Sequence, residues 1–141
     1  MSPNLLVLDA NILIRAVLGN KVRELLVTYS GVVGFFTPDV CVEDAQKYLP
    51  IIFEKRKLPS EPALKTFSSL KCLIQTVDKS IYQEHAVEAQ QRIKSRDFHD
   101  WPIVATALAL NCPIWTEDQD FFGLGLPVWT TDRIHLFFEA L

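Results

Sequence analysis

The sequence predicts a three-layer α/β fold, in which helices cover both faces of a central, mainly parallel sheet of four to five strands. Three observations predict it. Short apolar runs of strand length alternate with segments of helical spacing along the chain, the pattern of βαβ units. The first of these runs is apolar without alternation, as a strand buried on both faces must be. The length, 141 residues, suits one domain spanning 1–141 and is enough to bury a real core.

The elements follow in order. Asn4 to Leu8 reads as the first strand and ends at Asp9. Ala10 to Leu18 places apolar residues at helical spacing and stops at Gly19-Asn20, and Lys21 to Tyr29 reads as a second helix. Val32 to Phe36 is β-branched and aromatic, a second strand closed by Thr37-Pro38. A longer helix is expected from Asp39 to Lys55, kinked or divided at Pro50. Leu58-Pro59-Ser60-Glu61-Pro62 is a turn, followed by a helix over Ala63 to Leu70 and a third strand over Cys72 to Val77. Ser80 is expected to cap a helix running to Lys94. Pro102 to Leu110 is helical, Pro113 to Thr116 and Pro127 to Trp129 are the fourth and fifth strands, and Asp132 to Leu141 is a closing helix. There are no repeats and no low-complexity segments.

Composition excludes several classes. Hydrophobic residues at 49% and charged residues at 22% are ordinary for a globular protein. No apolar run reaches the roughly 18 residues of a membrane helix. The opening Met-Ser-Pro-Asn lacks a basic region and carries Asp9 soon after, so it reads as the approach to a core strand, and a cytoplasmic location is expected. Cys41, Cys72 and Cys112 form no CxxC pair and each has apolar neighbours, so all three are expected to be buried free thiols. A net charge of −3 argues against nucleic-acid binding by bulk electrostatics alone, though not against an acidic active site that binds cations. The motifs GxSxG, GxxxxGK[ST] and GxGxxG are absent, which removes support for a serine hydrolase, a P-loop enzyme or a dinucleotide site.

In a parallel α/β sheet the site lies beyond the carboxyl ends of the strands, where strand order reverses. The first strand ends in Asp9 and the fourth in Thr116-Glu117-Asp118, so neighbouring first and fourth strands would bring two carboxylates together. Glu43 lies in the first turns of the third helix, with Asp44 next to it. Asp100 precedes the apolar run Ile103 to Leu108, where an acid suits a helix N-terminus, and Asp97 would share its face of a helix. Each acid also has a plainer reading, as a helix cap, a turn former or a solvated residue.

Four blocks in order together resemble the PIN domain family: Val7-Leu8-Asp9-Ala10-Asn11, Pro38 through Glu43, Asp100 through Ala107, and Thr116-Glu117-Asp118-Gln119-Asp120-Phe121. The resemblance spans nearly the whole chain. Val104 stands where that family usually has Ala, and the third-helix block is its least typical part. The resemblance implies a three-layer αβα PIN-like fold and a Mg²⁺- or Mn²⁺-dependent endoribonuclease, and many small single-domain members of that family are the toxin halves of toxin–antitoxin pairs. It implies Asp9, Glu43, Asp100 and Asp118 as catalytic, metal-binding carboxylates, Asn11 and Thr116 as polar supports, and Asp97 and Asp120 as auxiliary acids.

The chemistry agrees with that resemblance. Like charges about 4 Å apart repel by roughly 4 kcal/mol at an effective dielectric near 20, so clustered carboxylates call for cations. Hard oxygen ligands suit Mg²⁺ or Mn²⁺, which activate water and steady a leaving oxygen. No histidine pair supports attack by a 2′-hydroxyl, so a 5′-phosphate product is expected. Arg92, Lys94 and Arg96 precede the acids and are candidate phosphate contacts, with Trp101 a candidate for base stacking. His99 reads as a rim residue, and His85 and His135 as ordinary helix residues.

Two other readings compete. One is a phosphotransfer domain with Asp9 as nucleophile, which would need a Lys at a later strand end, where this chain carries acids. The other is an inert PIN-like RNA- or protein-binding module. A mean hydropathy of +0.15, with Trp115, Trp129, Phe137 and Phe138 to accommodate, suggests a homodimer, or a partner peptide of antitoxin type.

Overall fold

The computed structural model describes residues 4–141, so the first three residues of the expected domain lie outside the described residues. Five strands form one sheet in the order β3-β2-β1-β4-β5, with every neighbouring pair parallel. They are β1 (Leu5–Leu8), β2 (Gly34–Pro38), β3 (Ile74–Val77), β4 (Ile114–Trp115) and β5 (Val128–Trp129). The order runs outward from β1 in both directions, so β1 and β4 flank the reversal point. Val7 pairs with Ile114 and Leu8 with Trp115.

Among the described residues eight helices cover this sheet: α1 (Ala10–Leu18), α2 (Lys21–Tyr29), α3 (Asp39–Lys55), α4 (Glu61–Leu70), α5 (Lys79–Tyr82), α6 (Ala86–Ile93), α7 (Trp101–Leu110) and α8 (Ile134–Glu139). Helices α1 to α4 pack on one another, and α5 and α6 pack on α7, which lies against β1, β2 and β4. Successive strand residues point to opposite faces, yet Leu6, Val7 and Leu8 are all 0% exposed, so both faces are covered. The same demand explains α7, whose residues Pro102 to Ala107 are buried on every side.

Several boundaries differ from the sequence expectation for local reasons. The second strand begins two residues late because the Tyr29 carbonyl accepts from both Val32 N (3.0 Å) and Val33 N (2.9 Å), which holds them in a turn. The third begins at Ile74 because Lys71–Leu73 forms a 3₁₀ turn, which also leaves Cys72 exposed; of the three thiols expected to be buried, only Cys41 and Cys112 are. The helix expected from Ser80 divides into α5, a 3₁₀ turn over Gln83–His85, and α6. Asp78, not Ser80, provides its cap, accepting from Ser80 N at 2.9 Å. Conversely, α3 runs unbroken through Pro50. The residue whose carbonyl loses a donor there, Gln46, is exposed, so water can replace the missing bond.

The four aromatics singled out in the sequence pack against other aromatics of the fold. Phe138 stacks on Tyr29 at 4.1 Å and meets Trp115, Phe35 and Phe137 edge-on, while Trp129 packs against Phe137 at 6.2 Å. Trp115 and Phe138 are buried and Trp129 and Phe137 partly so, which removes the four aromatics as a reason to expect self-association. Among the described residues no helix is long and apolar enough to cross a membrane.

Candidate active site

A cleft of about 220 Å³ opens beyond the carboxyl end of β1. Asp9, Asp100, Asp118, Asp97 and Asp44 all line it, with Asn11, Tyr48 and His99. The backbone explains how each acid arrives.

Asp9 ends β1 and caps α1, with Oδ1 accepting from Ile12 N at 2.9 Å. The Thr116 hydroxyl donates to its other oxygen, Oδ2, and the same hydroxyl accepts from Asp118 N at 3.0 Å. One buried threonine at the end of β4 thus couples the two strand-end acids. Asp9 is only 4% exposed. That burial pushes its carboxyl up to about 6, opposed by the bonds from Thr116 and Ile12 and reinforced by the charges of Asp118 and Glu117.

Asp118 opens a 3₁₀ turn over Gln119–Phe121, with Oδ1 accepting from Asp120 N at 2.9 Å. Asp97 opens another over Phe98–Asp100 and accepts from His99 N at 3.1 Å, so Asp97 and Asp100 share a short turn and not an extended helix face. Asp100 stands at the start of α7 but makes no capping bond, leaving its carboxylate free for the cleft. Burial raises Asp100 to about 7, and Asp97, Asp118, Asp9 and Asp120 add to the rise, in that order. One carboxylate oxygen each from Asp100, Asp118 and Asp120 lies within 4.8 Å of the others, although Asp120 does not itself line the cleft.

The third helix presents Val40, Cys41, Asp44 and Tyr48 to the cleft. These positions share one face at helical spacing, and Glu43 lies about 100° round from Asp44. Glu43 is exposed and does not line the cleft, so the structure brings Asp44 to this wall in place of the expected Glu43.

The expected rim contacts also change. Arg92 Nη1 donates to the Leu124 carbonyl at 2.8 Å, and its Nη2 meets Glu88 at 2.7 Å. Arg96 Nη1 donates to the carbonyls of Asp120 (2.6 Å) and Phe122. Both guanidiniums are therefore engaged by the protein itself. Trp101 is half-buried and meets Tyr82 edge-on at 5.7 Å, so its ring packs in the fold and is not offered as a flat stacking platform. Lys94 is exposed.

Among the described residues, no salt bridge reaches Asp9, Asp44, Asp97, Asp100, Asp118 or Asp120. Carboxylates gathered without a protein cation, two of them with raised pKa, form a donor set of hard oxygens that a divalent cation fits.

The fold is shared with solved structures. PAE2754 from Pyrobaculum aerophilum superposes with a TM-score of 0.68 at 12% identity, over 100% of this chain and 92% of that one. VapBC2 from Rickettsia felis, bound to a DNA fragment from its promoter, gives 0.62 at 17% identity over 89% and 98%. A toxin–antitoxin complex from Klebsiella pneumoniae gives 0.61 at 20% identity over 89% and 96%. No curated protein matches the chain by sequence. The family model of the PIN domain matches residues 7–139, from β1 to the end of α8, and the chain belongs to the PIN domain family.

Proposed function

We propose that this protein is a Mg²⁺- or Mn²⁺-dependent endoribonuclease. PIN domains are generally nucleases, and the observation that carries the reading here is the cleft itself. Asp9, Asp44, Asp97, Asp100 and Asp118 converge on it, and among the described residues none of them is in a salt bridge. Asp9, Asp100 and Asp118 would hold the metal, with Asp44 in the role expected for Glu43, and with Asp97 and Asp120 assisting. A bound divalent ion supplies acidified water and charge neutralisation for phosphodiester hydrolysis.

The chain's own residues do the rest. Asp9 is kept in one orientation by Ile12 N and Thr116, so its oxygens need not reorganise when the site fills. Asp100, with the higher raised pKa and a carboxylate free of any cap, is the group able to take up a proton near neutral pH in the metal-free protein. Asn11 lines the cleft beside Asp9 and offers an amide to substrate or solvent. The expected product carries a 5′-phosphate and a 3′-hydroxyl.

A toxin-like role with an antitoxin-type protein partner belongs to the same reading. It is supported by structural neighbours described as a toxin–antitoxin complex from Klebsiella pneumoniae and as FitAB bound to an IR36 DNA fragment. The test is cleavage of a mixed pool of labelled RNAs with Mn²⁺, with Mg²⁺ and with EDTA, comparing wild type with Asp9→Asn. Metal-dependent cleavage lost in the variant supports the enzyme. Absence of cleavage together with absence of Mn²⁺ binding overturns it and leaves a binding module.

A further inference from the structure

Two arginines on neighbouring turns reach across to one loop. Arg96 spans the carbonyls of Asp120 and Phe122, and Arg92 takes that of Leu124, so alternate residues of 120–124 are tied. The loop is shaped to receive them. Gly123 (φ 79°) and Gly125 (φ 83°) take left-handed backbone, and a Cβ on Gly125 would stand 2.9 Å from Arg92 Nη1. The loop begins at Asp118, and Asp120 is itself one of the tied residues. Arg96 is also followed directly by Asp97 and, at the end of the 3₁₀ turn, Asp100. Its side chain therefore bridges the two acid-bearing segments, which belong to different parts of the chain and share no strand pairing at those residues.

We propose that Arg96, supported by Arg92, is a positioning residue for the acids of the cleft. It fixes the separation between the Asp97–Asp100 turn and the Asp118–Asp120 turn, and so sets the affinity of the cleft for a divalent cation. This rests on the metal-dependent reading above. The geometry favours positioning over phosphate capture, because Nη1 of each arginine is given to main-chain carbonyls and Arg92 Nη2 to the Glu88 carboxylate.

Sign makes the test decisive. A guanidinium near a cation site repels the cation, so if Arg96 acted only as a charge, removing it would tighten Mn²⁺ binding. If it positions the acids, removal weakens binding. Isothermal titration of the full chain with Mn²⁺ should show Arg96→Gln binding about tenfold more weakly, the scale of loss when support to metal ligands is removed. In the metal-free protein, amides 119–124 should exchange hydrogen faster, with α7 unchanged. Arg92→Gln keeps the question open should Arg96→Gln fail to fold, with binding about threefold weaker on loss of its outer tie. Equal or tighter Mn²⁺ binding by a folded variant overturns the positioning role while leaving the nuclease reading intact. A wild type that binds no Mn²⁺ overturns that reading and the positioning role with it.

Discussion

Asp9 and Asp44 line the same cleft and are held in opposite ways. Asp9 is buried at a strand end, with one oxygen bonded to Ile12 N and the other to the Thr116 hydroxyl. Asp44 lies on an exposed turn of α3 and lines the cleft from there. The strand wall is fixed by the backbone and costs stability when ionised. The helix wall is fixed only by the rotation of α3 and stays in water. A site built this way separates rigidity from charge: the buried acid sets the geometry, and the solvated acid contributes charge at little cost to folding.

The largest effects should fall on the strand wall. Asp9→Asn is expected to lower RNA cleavage by more than about a hundredfold, since even outer partners of metal ligands cost roughly 10- to 100-fold. The same change should stabilise the metal-free protein above pH 7 by on the order of 3 kcal/mol, because it removes a buried charge whose carboxyl is held at about 6 instead of 3.8. Denaturation in EDTA checks it. A variant both inactive and less stable would mean that Asp9 serves the fold and not a metal.

The pH dependence follows from the same acids. Asp9 and Asp100 have folded pKa values of about 6 and about 7, above the ordinary 3.8, so the native state binds their protons more tightly than the unfolded chain does. Their contribution to stability is present below about pH 4 and is lost as pH rises through those values. Metal-free protein should therefore lose melting temperature between pH 5 and 8 through these groups. Saturating Mn²⁺ should restore more of it at pH 8 than at pH 5, because a cation competes with protons for the same oxygens. Stabilisation by Mn²⁺ that does not grow with pH would place the ion elsewhere.

The contrast between the walls also explains what was legible in the sequence. Asp9, Thr116 and Asp118 were readable because strands β1 and β4 must end somewhere, and parallel topology brings those ends together. The five strands were readable from apolar runs that both faces of the sheet require. The choice between Glu43 and Asp44 was not, because adjacent helix residues differ only by rotation and both are exposed. Arg92 and Arg96 were misread for a related reason: a basic run shows charge, whereas the carbonyls that accept from it lie 24 to 32 residues away. Long-range pairing of side chain to main chain leaves no periodic trace.

The helix wall can be tested against its own neighbour. Asp44→Asn should lower cleavage by about tenfold, the lower end of what support to a metal costs, and Glu43→Gln should leave it within about twofold. Folding should be unaffected in both, as neither residue is buried. The reverse ranking would restore Glu43 as the third-helix acid and would require α3 to turn when the cleft is filled.

The smallest effect belongs to Lys94, the one member of the basic run with no bond to the protein described for its side chain. It is exposed at the end of α6, close in sequence to the acid-bearing turn, and free to meet a phosphate as a point charge. Because such a contact is screened and solvated, Lys94→Ala should raise KM by only about twofold at moderate salt and leave kcat unchanged. The sharper readout is ionic: losing one phosphate contact on a single strand should reduce the slope of log affinity against log salt by about 0.7. An unchanged slope would mean that the substrate backbone approaches over the α3 wall, past Tyr48 and Lys47, and that the basic run serves the loop alone.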